Sequence, residues 1–335
     1  SWHLLIDSLG FMPPHMDTVQ YAEDPAGGAY DIYFIDFPYY GYTYQEMLVT
    51  STPRSRDYTG FMEVENDFSG FPTEGVEGLQ VTLAHEFFHL IHLAYAFKLG
   101  GSMGIHDLWW YELSSTWFED VAYPEINDYL YYVPSYYNVP KPLHQSSGYE
   151  VGQFGEVLSS YNAPTLMEAI WRTFIENSAY ESIDIGLQQE TSSSFEDSYQ
   201  KFAGWNLLTG GRSIPGTGYD DAVLFPEIAI NGGDIAVDSL RYSDELTARN
   251  IKYYQVRTDQ TDQQLYHVTY ETGNAKLRGV FSPENNPAHL WDFSVDESNH
   301  DVLIPGSPEA GLFAVANGSD FIEEYSVRFR KNVFR

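Results

Sequence analysis

Residues 83–92 read Leu-Ala-His-Glu-Phe-Phe-His-Leu-Ile-His, and this stretch narrows what the chain can fold into more than any other. On a helix, residues four apart share one face a turn apart, so His85 and His89 can hold one metal ion together. Glu86 follows the first histidine, which puts its carboxylate beside the ion's open position, where it can take a proton from bound water. Phe87 and Phe88 fill the turn between the histidines and should face the core. His92 lies three residues past His89. However, it is seven residues from His85, roughly 10 Å along the axis, too far to share one ion with both, and it reads as a hydrogen-bonding core residue.

Cysteine is absent, so the fold uses no disulfide and any metal site must be built from His, Glu and Asp. Asp and Glu total 48 against 17 Lys and Arg, a net charge of −31, which argues against a nucleic-acid backbone or an anionic membrane as partner. The same acidity suits an extracellular protein, and it fits either plain solubility or bound structural Ca2+. No apolar run approaches the ~20 residues of a membrane span. The chain opens at Ser1-Trp2-His3 without an initiator Met, as a processed form would. The 27 tyrosines suit a cleft that grips extended polymers, and equally suit ordinary β-structure.

Residues 1–29 read as an irregular entry punctuated by Pro13-Pro14 and by the Pro-Ala-Gly-Gly of 25–28. Strands are expected at 30–36, 47–50 and 60–65, a turn cluster at 66–72, and a helix from Glu77 to Lys98 closed by Gly100-Gly101. A second helix should run from Asp107 to Val121, followed by a Tyr- and Pro-rich loop over 123–149 lining the cleft. Further helices are expected at 149–160, 164–177 and 194–208. After Gly210-Gly211 the apolar runs shorten to strand length, at 222–225, 251–256, 264–270, 312–315 and 325–329, with turns every ten residues or so. The fold class is therefore α+β: a catalytic domain of small sheet plus helices over 1–212, then an all-β sandwich over 213–335.

A catalytic zinc ion takes three protein ligands and leaves one position for water. The best third ligand is Glu112, which lies 23 residues after His89, enough for one helix to end and a second to return. Glu119, two helical turns further, points the same way and could hydrogen-bond a ligating histidine. Asp120 and Asp107 compete for that job.

Residues 84–89, with Trp110, Tyr111, Glu112, Ser115, Trp117 and Glu119, resemble the gluzincin metallopeptidases, in which a Glu on the next helix completes a His-His-Glu zinc site. More narrowly, they resemble a bacterial family of secreted metalloproteases typified by a Myxococcus member, with its His-Glu-Phe-Phe-His helix and Trp-x-x-Glu-x-x-Ala-x-Trp-x-Glu helix. The entry around Leu9–Pro14, the strand at 30–33 and a turn at 40–43 are similar too. Two positions depart from that pattern: His92 stands where Gln is expected, and Ser115 where Ala is usual.

The resemblance implies a zincin-like catalytic domain and a substrate bound edge-on by the strand near 61–65. It also suggests that Tyr149, in Tyr149-Glu150-Val151-Gly152, stabilises the oxyanion. A phenol at a helix start can donate to that oxygen, and His144 is the reserve. The expectation is a secreted, monomeric zinc endopeptidase acting on peptide or protein, with His85, His89 and Glu112 as ligands, Glu86 as base and no nucleic-acid partner. The alternatives are a non-catalytic adhesive protein on a peptidase-like fold that binds protein or polysaccharide, and a hydrolase of another bond such as an ester.

Overall fold

In a computed structural model, the described residues are 1–16, 29–49, 57–95, 107–236, 238–259, 262, 264–272, 276–280, 290–291, 299–304 and 311–331. The Pro-Gly segment at 25–28, Thr50 and the expected helix end at Lys98–Gly101 lie outside them. The fold is α+β, in two compact units: Ser1–Tyr132 with Ser146–Ser194, and Val133–Gln145 with Phe195–Arg335.

The first unit begins with β1 (Ile32–Ile35), β2 (Gly41–Leu48) and β3 (Tyr58–Glu65), ordered β1-β3-β2. β1 runs parallel to β3, with Ile32 opposite Met62; β2 runs antiparallel to it, with Thr43 opposite Met62. Alternation in β3 turns Met62 and Val64 inward, beneath α1 (Gly75–Tyr95). α1 packs in turn on α2 (Leu108–Ala122). Phe88 is fully buried among Phe11, His92, Phe118 and Trp171.

β3 is the central strand, so both of its edges are already paired and it cannot take an extended substrate edge-on, contrary to the sequence expectation. β2 is an edge strand, and it starts at Gly41, where a turn was expected. Its inward residue Thr43 meets the polar Glu86 rather than an apolar core, so this half of the strand carries no apolar alternation.

The Tyr-rich stretch after α2 is more ordered than a loop. It holds a 3-10 turn at Asp128–Tyr131 and α3 (Val133–Asn138), which belongs to the second unit. The first unit then adds α4 (Gln153–Ser159), α5 (Leu166–Phe174) and α6 (Ala179–Glu190). α6 was not anticipated, although its capping box was visible: the Ser178 hydroxyl faces the Glu181 amide and the Glu181 carboxylate accepts from the Ser178 N–H.

The second unit holds α7 (Phe195–Leu207) and a β-sandwich. Its strands are β4 (Gly232–Ala236), β5 (Ser239–Leu246), β6 (Asn250–Thr258), β7 (Gln264–Thr272), β8 (Lys276–Val280), β9 (Leu290–Trp291), β10 (Asn299–Ile304), β11 (Gly311–Asn317) and β12 (Glu323–Lys331). One sheet is ordered β10-β7-β12-β5 and the other β4-β6-β11-β8-β9. Tyr242, Val268, Val327 and Phe329 from the first meet Tyr254, Val256, Phe313 and Val315 from the second in a single core.

The expected boundary at 212/213 moves to 194/195, because α7 packs on β8 and β11. The buried Asn206 explains much of this. Its side-chain oxygen accepts from the Tyr137 and Tyr219 hydroxyls at 2.7 and 2.8 Å, and its amide donates to Tyr253 at 3.0 Å. One amide thereby ties α3, α7, the 219 segment and β6 together. Residues 222–225, expected as a strand, form turns closed by Leu224 N–H to Asp221 O and Phe225 N–H to Ala222 O. Among the described residues no helix is long and apolar enough to cross a membrane. Replacing Asn206 with Leu should lower the unfolding free energy by about 2–4 kcal/mol, because buried hydroxyls lose their partners. Urea unfolding followed by tyrosine and tryptophan fluorescence would measure the loss.

Candidate metal centre

Residues 85 and 89 share the face of α1 that looks toward α2, and Glu112 looks back from α2. The His85 and His89 Nε2 atoms are 3.0 Å apart, and Glu112 Oε2 lies 3.1 Å from the first and 3.3 Å from the second. Around a tetrahedral zinc with bonds of about 2.0–2.1 Å, neighbouring ligand atoms are separated by roughly 3.3 Å. The triangle therefore already has the spacing that one small ion requires. His89 and Glu112 are partly exposed, which leaves a side open for a fourth ligand. Among the described residues no second group of three or more His, Asp or Glu side chains converges in this way.

Each imidazole is held at its other nitrogen. His85 Nδ1 lies 2.6 Å from Glu119 Oε1, so Glu119 takes the position for which Asp120 and Asp107 competed. His89 Nδ1 lies 3.1 Å from His92 Nδ1 and 3.4 Å from Ser115 Oγ. Both departures from the resembled pattern thus meet at one atom of a candidate ligand. His92 is buried flat against Trp171 at 3.9 Å, and its Nε2 lies 3.4 Å from Ser114 Oγ. Burial, reinforced by His89, holds its pKa well below the ordinary value, so it stays neutral. With its proton on Nε2 toward Ser114, its Nδ1 accepts from His89 Nδ1–H, and His89 keeps a lone pair on Nε2. Axial distance rules His92 out as a ligand but leaves this orienting contact open.

The remaining groups are positioned by local backbone. Glu86 is buried at the cavity wall, and Thr43 donates to its Oε2 at 2.7 Å. A Cβ on Gly41 would sit 2.8 Å from the Glu86 Cγ, so glycine there makes room for the carboxylate. Tyr149 stacks on His85 with ring centres 5.3 Å apart, and its hydroxyl hydrogen-bonds Glu112. Gly148, at φ 110°, sets it there: a Cβ would come within 2.5 Å of the Glu112 Cβ and the Trp109 carbonyl. His144, the reserve donor, lies on an exposed turn of the second unit.

The charges in the site depend on one another. Burial opposes a charge on His85, but hydrogen bonds to Glu112 and Glu119 outweigh it and hold the imidazole well above its ordinary value. Burial works to raise the Glu112 carboxyl, but His89 and His85 outweigh it and keep it ionised. Burial pushes Glu119 up to about 7 against the pull of His85. His85 and Glu119 therefore hold a proton between them near neutral pH.

No protein-family model and no curated protein matches the chain. Among solved structures, the chain is similar to a periplasmic inhibitor of g-type lysozyme from Aeromonas hydrophila at 14% identity and a TM-score of 0.22. A mutant of the corresponding inhibitor from Escherichia coli matches at 13% and 0.19. Each match covers 30% of this chain and 99% of the other, and superposition this poor carries no argument about function.

Two outcomes follow for metal uptake. An ion binding at His85 Nε2 must displace the proton that the imidazole, raised above its ordinary value, carries at neutral pH. Zinc affinity should therefore fall as pH drops from 8 to 6, with about one proton released per ion at pH 7, read from calorimetry in buffers of different ionisation enthalpy. His92→Phe should weaken zinc roughly 10- to 100-fold in chelator competition, and His92→Gln, which keeps an acceptor, should weaken it less.

Proposed function

We propose that the first unit is a zincin-like domain and that the chain is a secreted zinc-dependent endopeptidase. The observation that carries this reading is the convergence of His85 Nε2, His89 Nε2 and Glu112 Oε2, with 3.3 Å as the longest separation, beside the carboxylate of Glu86. The extracellular assignment rests on the acidity of the chain and on the family resemblance.

His85, His89 and Glu112 would hold a zinc ion, which would supply a Lewis acid and a water of lowered pKa. The chain's own groups do the rest. Glu86 takes the proton of the attacking water and returns it to the leaving amine. Thr43 holds one Glu86 oxygen, which leaves the other for the transfer. Burial keeps the Tyr149 phenol protonated, so it can donate to the substrate carbonyl oxygen as charge develops there. Glu119 and His92 fix the two imidazoles. Gly41 and Tyr42 of β2 border the cavity, so this edge, and not the 61–65 strand, is the one that can pair with an extended peptide.

One observation favours a second reading as an adhesive binding protein. Tyr33, Phe61, Tyr44 and Tyr42 form a row of touching rings across all three strands of the small sheet, with Tyr33 and Tyr42 about half exposed. Elemental analysis and casein hydrolysis separate the two. The peptidase reading expects one zinc per chain, hydrolysis abolished by a chelator, and a Glu86→Gln variant that keeps zinc but loses about 10²–10⁴-fold in activity. Glu86→Gln as active as the parent would sink the mechanism.

A further inference from the structure

The cavity beside His85 also reaches a differently built set of residues. It encloses about 550 Å3 and runs from His85, Glu86 and Tyr149 to Asp128, walled by Tyr40, Phe71, Tyr131 and Tyr132. Asp128 opens the 3-10 turn after α2 and is 7% exposed. Its Oδ1 accepts from the Tyr40 hydroxyl at 2.9 Å and from Thr73 Oγ1 at 2.5 Å. Both donors are neutral, so they fix the carboxylate without cancelling its charge. Among the described residues no Lys, Arg or His pairs with Asp128. The Thr82 hydroxyl, on the same wall, also has no partner there.

A buried carboxylate without a cationic partner is costly, and the hydrogen bonds from Tyr40 and Thr73 offset only part of that cost. Glu86 and Glu119 are further carboxyl groups of the same lining, and no Lys or Arg is among the lining residues. Burial, together with the charge of Asp128, holds the Tyr40 and Tyr132 phenols well above their ordinary range, so both stay neutral. Aromatic faces around a fixed carboxylate favour an amine or guanidinium, which gains a charge-assisted hydrogen bond and cation–π contacts together. A neutral or acidic side chain would leave the carboxylate desolvated and unpaired.

We infer that this cavity is a specificity pocket in which Asp128 receives the lysine or arginine side chain of a substrate residue flanking the scissile bond. The inference rests on the peptidase reading for its placement in a reaction, while cation binding itself does not depend on catalysis. Asp128 is a binding residue here, held at the end of the pocket by Tyr40 and Thr73.

The test uses the full chain with zinc and two readouts. Quenched fluorescent peptides carrying Lys, Arg, norleucine or Glu at either position beside the cleaved bond report kcat/KM. Saturation-transfer NMR with butylguanidinium and with neutral hexanol reports binding. The wild type should prefer Lys or Arg to norleucine at least tenfold at one of the two positions. Asp128→Asn, which keeps an acceptor for Tyr40 and Thr73, should erase that preference, lowering kcat/KM for Lys and Arg peptides at least tenfold more than for norleucine peptides, and should weaken butylguanidinium at least tenfold. A purely structural Asp128 would instead lower all substrates together, which overturns the inference. So does a wild type that cleaves norleucine and lysine peptides equally, a result that needs no variant to fold. Butylguanidinium binding that depends on Asp128, with no peptide cleaved, upholds the pocket and removes the peptidase reading.

Discussion

Two imidazoles and a carboxylate are held with their nitrogen and oxygen atoms no more than 3.3 Å apart at the seam between α1 and α2. Much of the first unit can be read as what that crowding requires. The two helices are held together by aromatic packing around Phe88 and Trp171. Gly148 lets the turn carrying Tyr149 lie directly on the backbone of α2 at Glu112, and Gly41 gives Glu86 its space. Any side chain at either glycine would clash with Glu86 or with the α2 backbone at Glu112.

The two imidazoles are supported in opposite ways. His85 leans on the buried carboxyl group of Glu119. His89 leans on a neutral histidine locked against Trp171 by burial and stacking. A second carboxylate at His89 would add negative charge to a site already holding Glu86, Glu112 and Glu119. A neutral acceptor fixes the ring without that addition. Further carboxyl groups, Glu86, Glu119 and Asp128, line the same cavity.

Where expectation and structure part, the cause is physical. β2 was read too short because its inward residues at 41 and 43 face a carboxylate, and no apolar period marks them. Residues 133–145 read as a loop because Tyr and Pro dominate, yet Tyr137 is anchored to Asn206 and Ala229, contacts that no local pattern announces. Residues 222–225 are as apolar as a strand, but Ala222 and Phe225 bury their side chains from consecutive turns. The capping box at Ser178 was a local signal that a polar helix surface masked.

The sequence alone determined that His85 and His89 share one face of α1, because a four-residue spacing on a helix is fixed by the backbone's own pitch. It also determined the distance at which Glu112 and Glu119 could serve, and the switch from helix to strand along the chain. Tertiary structure decided which carboxylate reaches which nitrogen, that His92 meets His89, that β3 is a central strand, and that Asp128 lies on an aromatic-lined cavity with no cationic side chain paired to it among the described residues. Those facts depend on side-chain directions across elements far apart in the chain. Residue spacing carries no information about such directions until packing sets them.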